Sequence, residues 1–228
     1  MIAHVSFDVW NTLIKPNPEF SLNRTTLIAL ALNLDTDYVK RAYTHVKHVV
    51  DTIAETTGEA FSTPEVYQLF FRACGVSVSG RLADEIRLAV DELFNRFPPT
   101  IVDSVYQTLN ELQSREITVS IASNSNFISG HVMHPWLQSQ LGERFLFNRY
   151  SDVIGTAKPS IKFFDSVYEG VMIHHPDLLD RSNILHVGDN PTCDGYGAVN
   201  AGMHSVLVPS PDQLCDLVLY WVNYHNQG

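Results

Sequence analysis

From Thr100 onward the chain alternates short β-branched runs with segments long enough to be helices. Val102 to Ser114 reads as a helix, Thr118 to Ala122 as a strand and Ile128 to Leu141 as a helix, followed by a shorter apolar piece around Phe145 to Phe147. Ser160 to Val171 then reads as a helix, Ile184 to Val187 as a strand, Asp194 to Ala201 as a helix, Ser205 to Val208 as a strand and Asp212 to Val222 as a closing helix. Parallel strands cannot be joined by tight hairpins and need a crossover, so this rhythm predicts an α/β fold with a doubly wound parallel sheet. One more strand comes from the start of the chain, where His4-Val5-Ser6-Phe7 runs straight into Asp8. In such a sheet the C-terminal strand ends converge on one crevice, which puts Asp8 where ligands bind.

Between Leu13 and the Pro98-Pro99 break the periodicity is helical. Val39, Tyr43, Val46, Val50 and Ile53 recur every three or four residues and lay one apolar stripe along an amphipathic helix. Ser62-Thr63-Pro64-Glu65 has the form of a helix start, with a serine cap and a glutamate that can reach back to free backbone amides. A further helix is expected from Leu82 to Phe94. The predicted organisation is therefore a core domain made of residues 1–14 and 99–228, interrupted by a helical domain over 15–98.

Composition narrows the function classes. With 15 Lys plus Arg against 25 Asp plus Glu, a formal charge of −10, and no basic run, binding to nucleic acid or an anionic membrane is not expected. Cys74, Cys193 and Cys215 are far apart and lack metal-ligand spacing, which argues against a disulfide framework. The N-terminus lacks a basic stretch leading into an uninterrupted apolar core, and no apolar run reaches the roughly 18 residues of a membrane span, so a cytoplasmic protein is predicted. Nothing in the sequence sets an oligomeric state.

Four strand-end segments carry candidate chemistry. Asp8 with Thr12 follows the first strand, and Ser123-Asn124 follows Val119-Ser120-Ile121-Ala122, where a hydroxyl and helix-start amides suit an anion. Lys158-Pro159 places a cation just ahead of a helix, and Gly188-Asp189-Asn190 with Asp194 follows Ile184-Leu185-His186-Val187. Each is ordinary alone; their order, after four separate strands, is not.

In that order the segments resemble the haloacid dehalogenase-like (HAD) hydrolase superfamily. Asp8 to Leu13 matches its first motif, Ser123 its second, Lys158 its third, and Gly188-Asp189 with Asp194 its fourth; Gly197 to Met203 resembles the usual continuation. The resemblance covers the whole chain and implies a Rossmann-like core, with the helical insertion as the cap of one subgroup. It further implies that Asp8 attacks phosphorus and forms an aspartyl-phosphate, with Ser123 and Lys158 as its catalytic partners. Mg²⁺ would be held by Asp8, the Trp10 backbone carbonyl and Asp189. Thr12, Trp10, Ser123 and Asn124 would contact a small phosphorylated metabolite, while Asp194 and Asn190 would support the metal and lysine from behind.

One departure changes the expected chemistry. Most phosphatases of this family carry a second aspartate two residues after the nucleophile as general acid and base, and here that position is Trp10. An indole has no titratable proton near neutral pH, and the lost contribution is on the order of 10² to 10⁴ in rate. Three expectations follow: a phosphatase that uses a good leaving group or another proton donor, a 2-haloacid dehalogenase with Arg41 on the substrate carboxylate, or a binding protein with little turnover on a hydrolase scaffold.

Overall fold

The protein is described here by a computed structural model covering residues 1–177 and 180–226. Five strands form one parallel sheet: β1 (His4–Phe7), β4 (Thr118–Ser123), β5 (Phe145–Tyr150), β6 (Ile184–Gly188) and β7 (His204–Leu207), in the order β5-β4-β1-β6-β7. β1 lies at the centre, and every one of its residues is buried, as expected of a strand covered on both faces. Phe7 pairs with Ile121 on one side and Val187 on the other, so the chain leaves β1, β4 and β6 at one edge. The strand order reverses at β1, which makes that edge the crevice of a doubly wound sheet.

Two further strands, β2 (Ile14–Lys15) and β3 (Thr100–Ile101), pair antiparallel and tie together the two chain crossings that bracket the helical segment. At two residues each they have no periodicity for a sequence reading to detect. Between them lie α1 (Pro18–Leu32), α2 (Thr36–Thr57), α3 (Thr63–Ala73) and α4 (Gly80–Arg96). Asp35 caps α2 through Tyr38 N, and Ser62 and Glu65 form the expected reciprocal cap on α3. Val39, Val46 and Val50 of α2 are buried in the same hydrophobic cluster as Val5 and Phe7 of β1. The helical segment thus shares a continuous apolar interior with the sheet.

The remaining helices are α5 (Asp103–Ser114), α6 (Gly130–Leu141), α7 (Ser151–Ile154), α8 (Ile161–His174), α9 (Gly197–Asn200) and α10 (Leu214–Asn226). Phe163, Phe164 and Val167 of α8 fill a second cluster with Ile184 and Met203. The continuous helix expected from Asp194 to Ala201 is a π-helical turn, Pro191–Tyr196, followed by the short α9. Asn190 sets that turn by accepting hydrogen bonds from Thr192 N and Cys193 N with its side-chain oxygen. Among the described residues no helix is long and apolar enough to cross a membrane.

Candidate active site

The site begins with the turn after β1. Asp8 N donates to Val187 O at 2.8 Å, which fixes the carboxylate's backbone to β6 at the sheet edge. Asn11 then takes a left-handed conformation with φ 57°, and its N–H closes the turn on Ile14 O. Asparagine tolerates that region better than most residues, and its side chain is free to donate to Asp189 Oδ2 at 3.1 Å.

Lys158 comes in from the loop before α8 and is only 1% exposed. Its Nζ donates to Asp8 Oδ1 at 2.7 Å and to Asp194 Oδ1 at 2.6 Å. Two devices place it. Asn124 clamps its main chain from both sides, accepting from Lys158 N at 2.8 Å and donating to Lys158 O at 3.0 Å. Gly58, at the end of α2, accepts from Ala157 N at 2.9 Å. Gly58 has φ +72°, and a Cβ there would stand 2.5 Å from Ser160 Cβ, so only glycine admits this approach of helix and loop.

The widened turn at Pro191–Tyr196 brings Asp194 back under the end of β6. A Cβ on Gly188 would lie 2.1 Å from Asp194 Cγ, so the glycine is what lets the carboxylate occupy that space. Asp194 Oδ2 accepts from Asn190 N at 2.9 Å, and Oδ1 also accepts from His186 Nε2 at 3.0 Å. Because a carboxylate only accepts, Nε2 carries the hydrogen and Nδ1 accepts from Ser6 Oγ at 2.8 Å. The buried chain Ser6, His186, Asp194, Lys158, Asp8 is therefore continuous. Sequence reading did not assign His186 or Ser6; their signal was a polar residue inside a strand that is buried along its whole length.

Electrostatics at this edge are unbalanced toward negative charge. Carboxylate oxygens of Asp8, Asp189 and Asp194 all lie within 4.8 Å of one another, and Lys158 is the one cation bonded to them among the described residues. Burial pushes the Asp8 carboxyl up to about 7 against the pull of Lys158, with Asp194 and Asp189 adding to the rise. Burial also raises Asp189. For Asp194 burial acts upward too, but the Lys158 ammonium and the His186 hydrogen bond outweigh it and hold the carboxyl well below its usual range. Burial would lower Lys158, yet Asp194 and Asp8 outweigh it and raise the ammonium above its ordinary value. An all-oxygen donor set with surplus negative charge is the chemistry a hard divalent cation requires, so Asp8 and Asp189 fit a Mg²⁺ site.

These groups open onto a cavity of about 440 Å³ between the sheet edge and the helical segment. Its floor includes Asp8, Lys158 and Asp189, with Trp10 on the wall; its far side is lined by Phe20, Arg24, Tyr43, Lys47, Asp51 and Glu55 of α1 and α2. Glu55 accepts from Asn190 Nδ2 at 2.6 Å, a direct link between α2 and the site. Tyr43 stacks on Phe127 with ring centroids 4.0 Å apart.

The structure places the remaining sequence-predicted residues as follows. Ser123 Oγ donates to Asp8 Oδ1 at 3.0 Å, so its hydroxyl orients the carboxylate in the free protein. Asn124 lines the cavity, and its side-chain amide bonds the main chain of Lys158 on both sides, so it supports the lysine. Thr12 is wholly buried, lies off the cavity wall, and its Oγ1 has no hydrogen-bond partner. Arg41 is exposed in a separate shallow groove with Asp37, Lys40, Thr44, His45 and His48, away from Asp8. Two cations reach the cavity from the helical segment, Lys47 and Arg24; sequence reading passed over Arg24 because an arginine in an amphipathic helix usually marks its solvent face. Burial pushes the Cys193 thiol up to about 12, consistent with a packing role in the loop.

Comparison with known proteins agrees with this architecture. Residues 155–212, which carry Lys158, Asp189 and Asp194, match the family model described as HAD-hydrolase-like. A human protein named haloacid dehalogenase-like hydrolase domain-containing protein 3 is 30% identical over 123 residues, covering 52% of this chain; the match spans only 43% of that protein's length. A 2-haloacid dehalogenase from Pseudomonas syringae pv. Tomato superposes with a TM-score of 0.61 at 20% identity, covering 97% of this chain and 100% of the other. A putative HAD-hydrolase from Bacillus subtilis, solved with magnesium, gives 0.62 at 21% identity over 91% of this chain and 86% of its own. A HAD phosphatase from Thermococcus onnurineus gives 0.62 at 16% identity with the same coverage.

Proposed function

We propose that the chain is a haloacid dehalogenase-like hydrolase and, within that superfamily, a Mg²⁺-dependent phosphatase of small phosphorylated metabolites, with residues 15–98 as a helical cap over the site; the matches to the family model, the human relative and the solved structures support this reading. The observation that carries this reading is the set of three carboxylates within 4.8 Å served by one lysine, which leaves room in the charge balance for a divalent cation. Asp8, Asp189 and the backbone carbonyl of Trp10 would hold the ion. When bound, Mg²⁺ supplies positive charge to the phosphoryl oxygens and favours the ionised form of Asp8.

The remaining steps belong to the chain's own residues. Asp8 attacks phosphorus as its carboxylate, expels the leaving oxygen and becomes an aspartyl-phosphate, which water then hydrolyses. Lys158 lies 2.7 Å from Asp8 Oδ1 and offsets charge on both nucleophile and phosphoryl group. Asp194, tied to His186 and Asn190 N, keeps Lys158 in that position. Ser123 can turn its hydroxyl from Asp8 to a phosphoryl oxygen. Trp10 supplies no proton, so the leaving oxygen must be stable without one or be protonated from the helical wall, where Asp51 and Glu55 line the cavity.

A dehalogenase reading is favoured by the aromatic residue at position 10 but sits poorly with three carboxylates facing a carboxylate substrate. The deciding assay measures phosphate release from phosphomonoesters and acyl phosphates beside halide release from 2-haloacids. Phosphate release should require Mg²⁺ and fall by at least about 10³-fold in Asp8→Asn. Halide release that is insensitive to chelator would overturn the proposal.

A further inference from the structure

The helical wall of the cavity holds a buried cation without an anion. Arg24, on α1, is 8% exposed and lines the cavity. Its Nη1 donates to Tyr43 Oη at 2.9 Å and its Nη2 to Ser21 Oγ at 3.3 Å, while Nε has no partner. A guanidinium carries five N–H donors, so more than half of its hydrogen-bonding capacity is uncommitted. No ion pair among the described residues includes it. Lys47, the other cation on this wall, is already paired with Asp51 at 2.5 Å.

Removing a charge from water is costly unless a counter-charge meets it, and Arg24 has only neutral hydroxyls and π-faces. Its Cζ stands 3.6 Å from the centroid of Tyr43 and 5.3 Å from that of Phe20, which fixes the plane of the fork. Tyr43 is in turn held by its stack on Phe127. The result is a rigid, partly satisfied guanidinium on the same cavity as Asp8 and Lys158. Rigidity of this kind suits bidentate recognition of paired oxygens more than a mobile surface arginine does.

We propose that Arg24 forms a second anion subsite, so that the preferred substrates are phosphomonoesters whose leaving group carries a further oxyanion, a carboxylate or a second phosphate. The phosphoryl group sits at Asp8 and Lys158, and the second anion meets Arg24 beside Ser21 and Tyr43. This rests on the phosphatase reading and adds the substrate class to it.

Calorimetry in excess Mg²⁺ tests the subsite with three non-hydrolysable phosphonates: ethylphosphonate, phosphonoacetate and methylenebisphosphonate. At least one of the two ligands with a second anionic group should bind about tenfold to a hundredfold more tightly than ethylphosphonate, the range expected of charge-assisted hydrogen bonds. Which of the two gains more distinguishes carboxylate from phosphate. Arg24→Met should bring that ratio close to one, and Arg24→Lys should keep part of it. Equal affinity of the unaltered protein for all three overturns the subsite and leaves the phosphatase reading standing, without depending on how any variant folds. Failure to bind any phosphonate overturns both.

Discussion

The two walls of one cavity hold buried cations in opposite circumstances. On the sheet wall Lys158 is answered by Asp8 and Asp194, both within 2.7 Å, and the network continues through His186 to Ser6. On the helical wall Arg24 has a phenol, a serine hydroxyl and two aromatic faces. A cation paired in the free protein is part of what keeps the fold together. A cation left unpaired lowers stability until something arrives to meet it, which is how a binding site differs from a structural ion pair.

Replacing each cation by an apolar residue of similar length should therefore have different consequences. Lys158→Met strands two buried carboxylates and is expected to cost about 3–5 kcal/mol in chemical denaturation with chelator present. A cost below about 1 kcal/mol would break the comparison, because the sheet-wall pair would then be no more structural than a surface bridge.

A buried group that is polar but uncharged sharpens the contrast. His4, on β1, is fully buried, with Nδ1 2.8 Å from Thr118 Oγ1 and Nε2 2.8 Å from Ser120 Oγ. Burial, with His175 and His174 adding to it, lowers its pKa to about 3. The unfolded chain takes up this proton near pH 6.5 and the folded one does not. The stability at stake is full above about pH 6.5 and is lost as pH falls toward 3, at about 1.4 kcal/mol per unit. His4→Gln should flatten this part of the pH–stability curve; an unchanged slope would show that the ring is hydrated or charged in the fold.

The smallest effect belongs to the helical wall. Arg24→Met should change stability by no more than about 1 kcal/mol, or raise it, when thermal unfolding is followed without ligand. A loss of several kcal/mol would mean that Tyr43 and Ser21 satisfy the guanidinium, and that the two walls are alike.

Much of this arrangement was legible beforehand because it is written in local pattern. The β1, β4, β6 and β7 runs, the α2 stripe and the Ser62–Glu65 cap all announce themselves through periodicity or through a residue type suited to one position. The order Asp8, Ser123, Lys158, Asp189 is equally local, since each residue follows directly on a strand or precedes a helix. Less legible were the elements set by contact across long separations. The β2–β3 pair joins residues on either side of the helical segment, and the π-helical turn exists because Asn190 binds two amides and Asp194 must reach Lys158.

The sequence by itself determined the layered α/β plan and which side chains stand at the sheet's edge, because hydrophobic period and strand-end polarity are properties of short segments. Only the tertiary structure decided which of them act together. Asn124 turned to clamp Lys158, Thr12 sank into the interior, Arg41 faced outward, and Arg24 came to line the cavity unpaired. Charge and burial at a point depend on every segment that meets there, and no single segment records that sum.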